Sequence, residues 1–534
     1  MQKRENRYRD IQYPGSRIQD PESSYDVIVI GAGIGGLTCA SLLAKEDLKV
    51  LVVEQASKPG GYATSYRKDG FTFDSCVHFL GGCGKEGIIR KLLQKLEVEE
   101  EIKFIEVQAP MGVILNDEKI SLPVKKPPEL EKTLQRIFPQ ETSQIPKYFQ
   151  TLRKITQEIL DLVSPSFFKF LLFPIRYPHL IRYQKSTLKD LLDRYFTNSK
   201  LKNILSIAPT TLPPSRISLF FMAIVTIQGQ EGFYYPKGGI QTFSDTLVKG
   251  LKKHKGELLL ETSVTKILVE KRKVFGVELA SGKRIRARYV VSNTNLEQTF
   301  NKLVGKEYLS QKYIKKIETQ KVSLSGLILH IATDLDLKSL GLGFTNAILP
   351  PDLEKEFEAL NNDQMPDESS LIITVPSLVD STLAPEGKHI LSIVVPAPYH
   401  YDWENKKEEV AKEIIKQVEK AIPNLSSHII YQDISTPRTL EKYTLNTEGA
   451  MYGLQVTPEQ FGINRVSQRT PIKGLYLAGH YTRPAHGIVG VAMSGQFAAQ
   501  AILKKRNAKD VKPVLPVTSV SPERIKTGLT GQRV

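Results

Sequence analysis

Cysteine is scarce in this sequence, and several other signals are missing as well. The 534 residues include only Cys39, Cys76 and Cys83, an odd number without CxxC spacing. This disfavours a disulfide framework and favours a reducing compartment. The first 20 residues lack the apolar core of a secretory signal. No run approaches the ~20 apolar residues of a membrane-spanning helix, so we expect a cytoplasmic protein.

Signatures of metal and nucleic-acid binding are also missing. We find no zinc-ligand spacing and no RNA-binding motif, so we expect neither a metal site nor a nucleic-acid partner. The formal net charge of +16 needs another explanation. Residues 504–534 hold eight Lys or Arg against two acids, which predicts a disordered basic tail. The remaining excess favours an anionic membrane surface as a partner.

The chain carries a dinucleotide-binding pattern near its start. The apolar hexapeptide YDVIVI precedes GAGIGG and an apolar, Ala-containing stretch, which predicts a strand, a tight turn and a helix. Gly31, Gly33 and Gly36 fit GxGxxG, with Ala32 inside the turn, and allow close approach of the backbone to a pyrophosphate. Glu54 ends the next predicted strand, where a carboxylate accepts hydrogen bonds from ribose. The alternative is a glycine-rich turn that only packs a helix.

The same region favours FAD over a nicotinamide cofactor. Glu54 disfavours NADP, because a 2′-phosphate beside a carboxylate brings like charges together. The stretch PGGYATSYRKDGFTFD, residues 59–74, then offers flexible backbone at Gly60 and Gly61 followed by a polar run. Such a stretch suits contacts beyond the adenosine half of a long dinucleotide. The alternative is a surface hairpin.

The order of these patterns predicts an α/β fold with a discontinuous, Rossmann-like FAD-binding domain, an α+β substrate domain and a helical membrane-facing part. Three short β-rich runs end at Asn293, and a Gly-rich apolar stretch returns at residues 474–503. The predicted division is a disordered arm (1–24), FAD-binding parts (25–109, 231–299 and 436–503), substrate-domain parts (110–230, which includes the membrane-facing helices, and 300–435) and a basic tail (504–534).

Several motifs together resemble the phytoene desaturase-related flavoproteins, which include carotenoid desaturases, carotenoid isomerases and retinol saturases. The resemblance covers roughly residues 25–503. It is carried by VIVIGAGIGGL, VEQASKPGG, FYYPKGGIQTFSDTL, TSVTKILVE with VVSN, and GLYLAGHYTRPAHGIVGVAMSG.

The resemblance implies positions for the cofactor. Gly31, Gly33, Gly36 and Glu54 bind the ADP half, and Gly60 and Gly61 lie near the pyrophosphate or flavin. The backbone of Val264 meets the adenine. The closing segment wraps the ribityl chain and the flavin through Gly479, His480, Gly490 and Val491. The loop that leads from the substrate region back to the cofactor is formed by Tyr235, Pro236, Gly238 and Gly239.

Two departures from the family pattern single out histidines. FDSCVHFLGG places His78 where desaturases carry small or hydroxyl residues, and GHYTRPAHGIVG places His480 and His486 in the closing motif. His78 and His480 are candidate catalytic residues, although histidines that are hydrogen-bonded for structure fit equally well. The segment TLNTEGAMYG, residues 444–453, is either the substrate end of the flavin site or an ordinary loop.

The resemblance implies an oxidoreductase that exchanges a hydride between FAD and a carbon–carbon bond of an apolar polyisoprenoid, carotenoid or retinoid. A flavin amine oxidase is one alternative, with Tyr443 and Tyr452 available for an aromatic cage. A non-enzymatic prenyl-lipid binder of the GDP-dissociation-inhibitor type is another. The apolar run at residues 217–227 predicts a wall of a substrate tunnel.

One aromatic and basic stretch predicts a peripheral membrane contact. Residues 164–185 contain Phe167, Phe168, Phe170, Leu171, Leu172 and Phe173. Lys169, Arg176, Arg182 and Lys185 are interleaved with them or follow them. This composition is typical of an interfacial segment and not of a span. The alternative is a buried cap on the substrate domain.

Overall fold

A computed structural model gives the structure of the chain and describes residues 24–108, 111–115, 118–123, 127–162, 173–207, 211–229 and 232–506. The strands are Tyr25–Ile30 (β1), Val50–Val53 (β2), Ser65–Lys68 (β3), Phe71–Asp74 (β4), Phe104–Glu106 (β5), Met111–Leu115 (β6), Glu118–Leu122 (β7), Tyr234–Pro236 (β8), Glu257–Leu259 (β9), Val264–Glu270 (β10), Lys273–Leu279 (β11), Arg284–Ser292 (β12), Ser325–Thr333 (β13), Thr345–Leu349 (β14), Leu371–Thr374 (β15), His389–Ala397 (β16), Ile429–Ser435 (β17) and Leu475–Leu477 (β18).

Helices and strands are mixed along the chain, as in an α/β fold. The helices are Ile34–Lys45 (α1), Ile88–Lys95 (α2), Pro127–Ile137 (α3), Ile145–Leu162 (α4), Phe173–Arg176 (α5), Pro178–Tyr183 (α6), Leu188–Tyr195 (α7), Ser199–Leu205 (α8), Leu219–Gly229 (α9), Gln241–Lys253 (α10), Gln311–Glu318 (α11), Leu353–Asn361 (α12), Trp403–Val418 (α13), Pro437–Thr444 (α14) and Gly487–Arg506 (α15).

The first sheet joins strands from three separate stretches of the chain. Its parallel part has the order β9-β2-β1-β12-β18, and β11 and β10 continue from β12 in antiparallel fashion. Val27 and Val29 pack on one face of β1 and Ile28 and Ile30 on the other, each pair in its own core. Burial on both faces explains why β1 is continuously apolar. The sheet is therefore discontinuous in sequence, as we expected of the cofactor domain.

Three helices cover one face of this sheet. α1 packs against both α10 and α15, and Ser41 of α1 donates a hydrogen bond to the carbonyl of Leu247 at 3.0 Å. A Cβ added to Gly495 of α15 would lie only 2.2 Å from the carbonyl oxygen of Gly35 in α1. The two helix backbones thus touch directly, because glycine stands at the crossing.

The second sheet has the order β17-β13-β16-β15-β14-β6-β7. All nine residues of β13 are buried, and α13 packs beside it in a core that includes Trp403 and Ile414. β6 lies parallel to β14 and antiparallel to β7. β6 and β7 therefore extend this sheet, although the sequence patterns indicated only helices within residues 110–230.

Two boundaries also differ from the predicted ones. α15 continues to Arg506, so the basic tail was predicted to begin three residues too early. α14 contacts β13 and β17 of the second sheet, although residues 436–503 were assigned to the cofactor domain. The division into domains otherwise remains a proposal. Across the described ranges, no helix has both the length and the apolar character needed to cross a bilayer.

Candidate functional site

The glycine-rich turn lies between β1 and α1. Gly31 has a φ of +95°, a left-handed conformation that glycine adopts without strain, and its N–H donates to the carbonyl of Val53 at 2.8 Å. Gly33 is the N-cap of α1, and no side chain caps this helix end. The amides of the first helical turn therefore have no intrahelical or capping acceptor, which is the arrangement that binds phosphate.

A second glycine pair lies against this turn. Gly60 donates its N–H to the carbonyl of Ala32 at 2.8 Å and forms a parallel β-bridge with Gly33. Both Gly60 and Gly61 have positive φ, +128° and +61°, and a Cβ on Gly61 would lie 3.5 Å from the Cα of Gly33. The structure thus brings together the two glycine stretches that the sequence separates.

Asn293 is the residue of this site that sequence reasoning did not assign. It follows β12 and donates its N–H to the carbonyl of Ile30 at 2.9 Å. A Cβ on Gly33 would approach its Nδ2 to 2.8 Å, and a Cβ on Gly479 would approach its Oδ1 to 2.7 Å. Asn293 therefore touches both the glycine turn and the closing motif. The available signal was its place at the carboxyl end of a parallel strand, where ligands of such sheets bind.

Glu54 is held by the backbone at the end of β2. Its carboxylate accepts hydrogen bonds from the N–H of Ala32 at 2.7 Å and of Ala56 at 2.8 Å. Burial raises the pKa of Glu54, although these hydrogen bonds oppose the effect. A carboxylate has about four acceptor positions, so positions remain for ribose hydroxyls. The carbonyl of Glu54 accepts a hydrogen bond from the N–H of Thr262 at 2.9 Å. Val264, the first residue of β10, follows Thr262 by two positions in the chain.

The closing motif leads into α15. Gly479 has a φ of +94°, and its N–H donates to Oγ of Ser494 at 3.0 Å. Gly490 lies in the first turns of α15, where an added Cβ would be 2.8 Å from the carbonyl oxygen of Ala485. Val491 is partly buried against the core that contains α1. The N-terminal ends of α1 and α15 both lack acidic residues in their first turns.

These groups fit FAD. Two glycine stretches make a backbone cradle in which side chains would clash. The N-terminus of α1 supplies unpaired amides, the N-termini of α1 and α15 supply positive dipole ends for phosphate, and a carboxylate is available for ribose. When bound, FAD supplies the hydride donor or acceptor, and the protein supplies position and electrostatics.

Of the two candidate catalytic histidines, His78 is buried and His480 is partly buried. Burial lowers the pKa of His78 to about 4, and neither ring nitrogen has a partner among the described residues. Burial, and then the charge of Arg465, lowers the pKa of His480 to about 3. Nε2 of His480 lies 3.4 Å from Oδ1 of Asn446. At neutral pH both rings are uncharged hydrogen-bonding groups.

His486 connects the closing motif to an apolar helix. Its ring lies 4.9 Å from that of Phe221 in α9 and 4.7 Å from that of Tyr452. Burial lowers its pKa well below the ordinary value, and its Nε2 has no described partner. The apolar run that predicted a tunnel wall therefore meets the residue that directly precedes α15.

The segment at residues 444–453 packs on His480. A Cβ on Gly453 would lie 2.7 Å from Cδ2 of His480. The hydroxyl of Tyr62 donates to the carbonyl of Ala450 at 3.0 Å. This segment therefore contacts the closing motif directly. Tyr443, which the amine-oxidase alternative needs in an aromatic cage, is instead 70% exposed.

The loop that returns to the cofactor region is fixed by Asp74. The hydroxyl of Tyr235 donates to Asp74 at 2.6 Å, the hydroxyl of Ser65 also at 2.6 Å, and the N–H of Ile240 at 2.8 Å. Burial nevertheless raises the pKa of Asp74 to about 6. Gly239 has a φ of +103° and lies against Ser65. The carboxylate anchors the start of α10 beside residues 59–74.

Known proteins similar to this chain over most of its length include three with related names. A chloroplastic prolycopene isomerase from Daucus carota is 30% identical over 92% of this chain and 82% of its own length. An all-trans-retinol 13,14-reductase from Danio rerio is 26% identical over 90% of this chain and 86% of its own length. A 4,4′-diapophytoene desaturase from Methylomonas sp is 22% identical over 90% of this chain and 96% of its own length.

Solved structures share the fold. An oxidoreductase from Methanosarcina mazei has a TM-score of 0.64 at 18% identity, over 90% of this chain and 99% of the other. Cyclohexylamine oxidase from Brevibacterium oxydans has a TM-score of 0.62 at 17% identity, over 91% of this chain and 100% of the other. The Rab GDI of Plasmodium falciparum has a TM-score of 0.51 at 13% identity, over 92% of this chain and 100% of the other.

These likenesses confirm the predicted α/β, FAD-binding fold class. The names of the relatives confirm the resemblance to phytoene desaturase-related flavoproteins. Residues 34–503 match the protein family described as flavin containing amine oxidoreductase. The chain therefore belongs to this family of flavin-dependent oxidoreductases, with FAD as its cofactor.

Proposed function

We propose that the protein uses FAD to act on a carbon–carbon bond of a polyisoprenoid, carotenoid or retinoid, by desaturation, saturation or cis-trans isomerisation. The names of the relatives support this substrate class, because each refers to a polyene or a retinoid. We also propose that the cofactor is bound by Gly31, Ala32, Gly33, Gly36, Glu54, Gly60, Gly61, Val264, Gly479, His480, Gly490 and Val491.

The contact between α9 and the closing motif carries the proposal. Leu219–Gly229 is almost wholly apolar, and its Phe221 meets His486 beside Tyr452. A surface of this kind binds an apolar chain by removing it from water, at about 25 cal/mol per Å². Substrate affinity should therefore grow with chain length.

The candidate catalytic histidines suit hydride exchange without an obligatory base. His78 and His480 are uncharged at neutral pH, because burial lowers the pKa of both to about 4 and about 3. Loss of a hydride from a polyene leaves a cation that conjugation spreads over many carbons. The residues that line the substrate site then need only to position the polyene, exclude water and offer neutral hydrogen-bonding groups.

Anaerobic stopped-flow tests the proposal directly. Flavin absorbance is followed after mixing the oxidised and the reduced holoenzyme with detergent-solubilised phytoene, lycopene isomers or retinol, and products are separated by chromatography. We expect a flavin change or an altered isomer with at least one polyene. A response to primary or secondary amines, with none to the polyenes, would overturn the substrate class.

A substitution in α9 tests the contact between Phe221 and His486. Phe221→Ala should weaken polyene binding and leave FAD bound, since Phe221 contacts His486 and lies outside the glycine cradle. Val225→Ala, in the same helix and only partly buried, gives a control for general loosening of α9. Equal effects of the two substitutions would argue against a specific role of the Phe221 contact.

We propose as well that residues 164–185 contact an anionic membrane surface. Phe167, Phe168, Lys169, Phe170, Leu171 and Leu172 lie outside the described residues. In the described part, Ile175 is 80% exposed and Ile181 is 40% exposed. Arg176 and Arg182 directly follow them in sequence, so exposed apolar and basic side chains alternate, as in interfacial segments.

Vesicle flotation tests this contact. The wild-type protein should float with anionic liposomes, whereas Ile175→Ser combined with Ile181→Ser should leave the protein unbound with its FAD retained. Phe275→Ser serves as the matched control, because Phe275 is 44% exposed on β11 of the first sheet. Flotation of the double variant at the wild-type level would contradict the proposal.

A further inference from the structure

Arg465 is a fully buried arginine beside the closing motif. Its side chain has 0% exposure, and within the part of the chain that the structure describes its guanidinium donates only to backbone carbonyls. Nε donates to Thr482 at 2.9 Å, Nη1 donates to Gln455 at 3.2 Å and to Leu454 at 3.3 Å, and Nη2 donates to Leu454 at 3.3 Å and to His480. The guanidinium thus ties residues 454–455, next to the segment at residues 444–453, to residues 480–482.

No carboxylate neutralises this charge within the described residues. All the hydrogen-bond acceptors of Arg465 are carbonyl oxygens, and it forms no ion pair there. Burial of a charge is costly unless a counter-charge compensates it. The carbonyl dipoles satisfy the donors of the guanidinium but leave its net positive charge. A negative charge that develops nearby would therefore be stabilised.

The charge acts on the groups of the closing motif. Arg465 contributes to the lowered pKa values of both His480 and His486, so its field extends across the segment between Gly479 and α15. This segment is the one that we propose holds the flavin. Carbonyl oxygens accept the hydrogen bonds of the fully buried guanidinium, and surroundings that exclude water screen a charge weakly.

We propose that Arg465 is a positioning residue that also supplies a fixed positive charge to the FAD site and so favours the reduced, negatively charged cofactor. The inference rests on the proposed placement of FAD at the closing motif. Hydride transfer from a substrate carbon moves two electrons and one proton to the flavin ring. The substrate gains one positive charge and the ring gains one negative charge, which Arg465 stabilises without giving up a proton.

Redox titration of purified holoenzyme tests the charge. Arg465→Met removes it and Arg465→Lys keeps it, whereas both lose most of the five hydrogen bonds. We expect Arg465→Met to shift the reduction equilibrium of bound FAD at least tenfold toward the oxidised form, about 30 mV for a two-electron couple. Arg465→Lys should stay close to wild type, although both variants should be less stable. Arg438→Met, which removes an exposed cation, should leave the potential unchanged.

Equal potentials of wild type and Arg465→Met, with FAD bound in both, would overturn the proposal. Wild-type protein without any FAD would instead refute the cofactor assignment. If Arg465→Met does not fold, proton uptake during reduction of the wild-type holoenzyme still tests the proposal. Reduction of this holoenzyme at pH 6 should take up one proton for every two electrons, because the ring stays anionic, and uptake of two protons would overturn the proposal.

Discussion

Gly36→Ala is the sharpest perturbation of the cofactor cradle. Gly36 lies in the first turn of α1, and a Cβ there would be 2.2 Å from the carbonyl oxygen of Gly31. Ordinary contact begins at 3.4 Å, so the helix and the preceding turn must move apart. That movement opens the turn whose amides we expect to face the pyrophosphate.

Two effects of opposite sign decide the outcome. Alanine is favoured over glycine inside a helix by about 1 kcal/mol, which would stabilise the variant if there were room. Overpacking of this kind costs about 1–3 kcal/mol, and the atom in the way belongs to backbone that cannot change rotamer. At the upper end the net loss is about 2 kcal/mol. If all of it falls on the cofactor-bound state, FAD affinity drops about 30-fold.

The assay is fluorescence titration of apoprotein with FAD, together with thermal unfolding of the holoprotein. Gly81→Ala is the matched control, because a Cβ at Gly81 meets only Cγ2 of Val489 at 4.0 Å. We expect normal FAD binding in the control and weak binding in Gly36→Ala. Wild-type affinity in Gly36→Ala, with an unfolding temperature equal to or above that of wild type, would refute the steric reasoning.

Three further predictions follow from the site. Glu54→Ala should lower the flavin-to-protein absorbance ratio of the purified protein, because Ala32 and Ala56 both lose their hydrogen-bond acceptor. The pKa of His78 is lowered to about 4 by burial, so the folded ring stays neutral while the unfolded one gains a proton below pH 6.5. Between pH 8 and pH 5, the free energy of unfolding should therefore fall by about 2 kcal/mol more in wild type than in His78→Asn, as measured by denaturant unfolding. Tyr62→Phe removes the hydrogen bond to the carbonyl of Ala450. Denaturant unfolding should show a free energy of unfolding lower by about 1 kcal/mol, with FAD retained.

The cofactor end of the fold was largely readable from sequence. β1, the glycine turn, α1 and β2 have strong local signals, since a buried parallel strand is continuously apolar and a close turn needs glycine. The three strands that end before Asn293 were also predicted. β6 and β7 were missed, because β7 contains only two apolar residues, Ile120 and Leu122, and gives a weak strand signal.

The residues that sequence reasoning did not assign act through contacts distant in the chain. Asn293 contacts Gly33, 260 residues earlier in the sequence. Arg465 lies in a run, GINRVSQRT, that has no periodicity and no recognisable motif. Its burial depends on how residues 454–455 and 480–482 fold around it. Local patterns cannot report an environment that distant segments create.

Gly479 and His480 are the point at which the two ends of the site meet. Gly479 lies against Asn293 and through it against the glycine turn, whereas His480 lies against Asn446 and Gly453 of the segment at residues 444–453, which we propose lies at the substrate end of the flavin. Changes in the cradle should therefore affect FAD affinity first, and changes in α9 should affect substrate first. Changes at this pair of residues should affect both together. The arrangement needs no long-range transmission, because two adjacent residues contact the two ends.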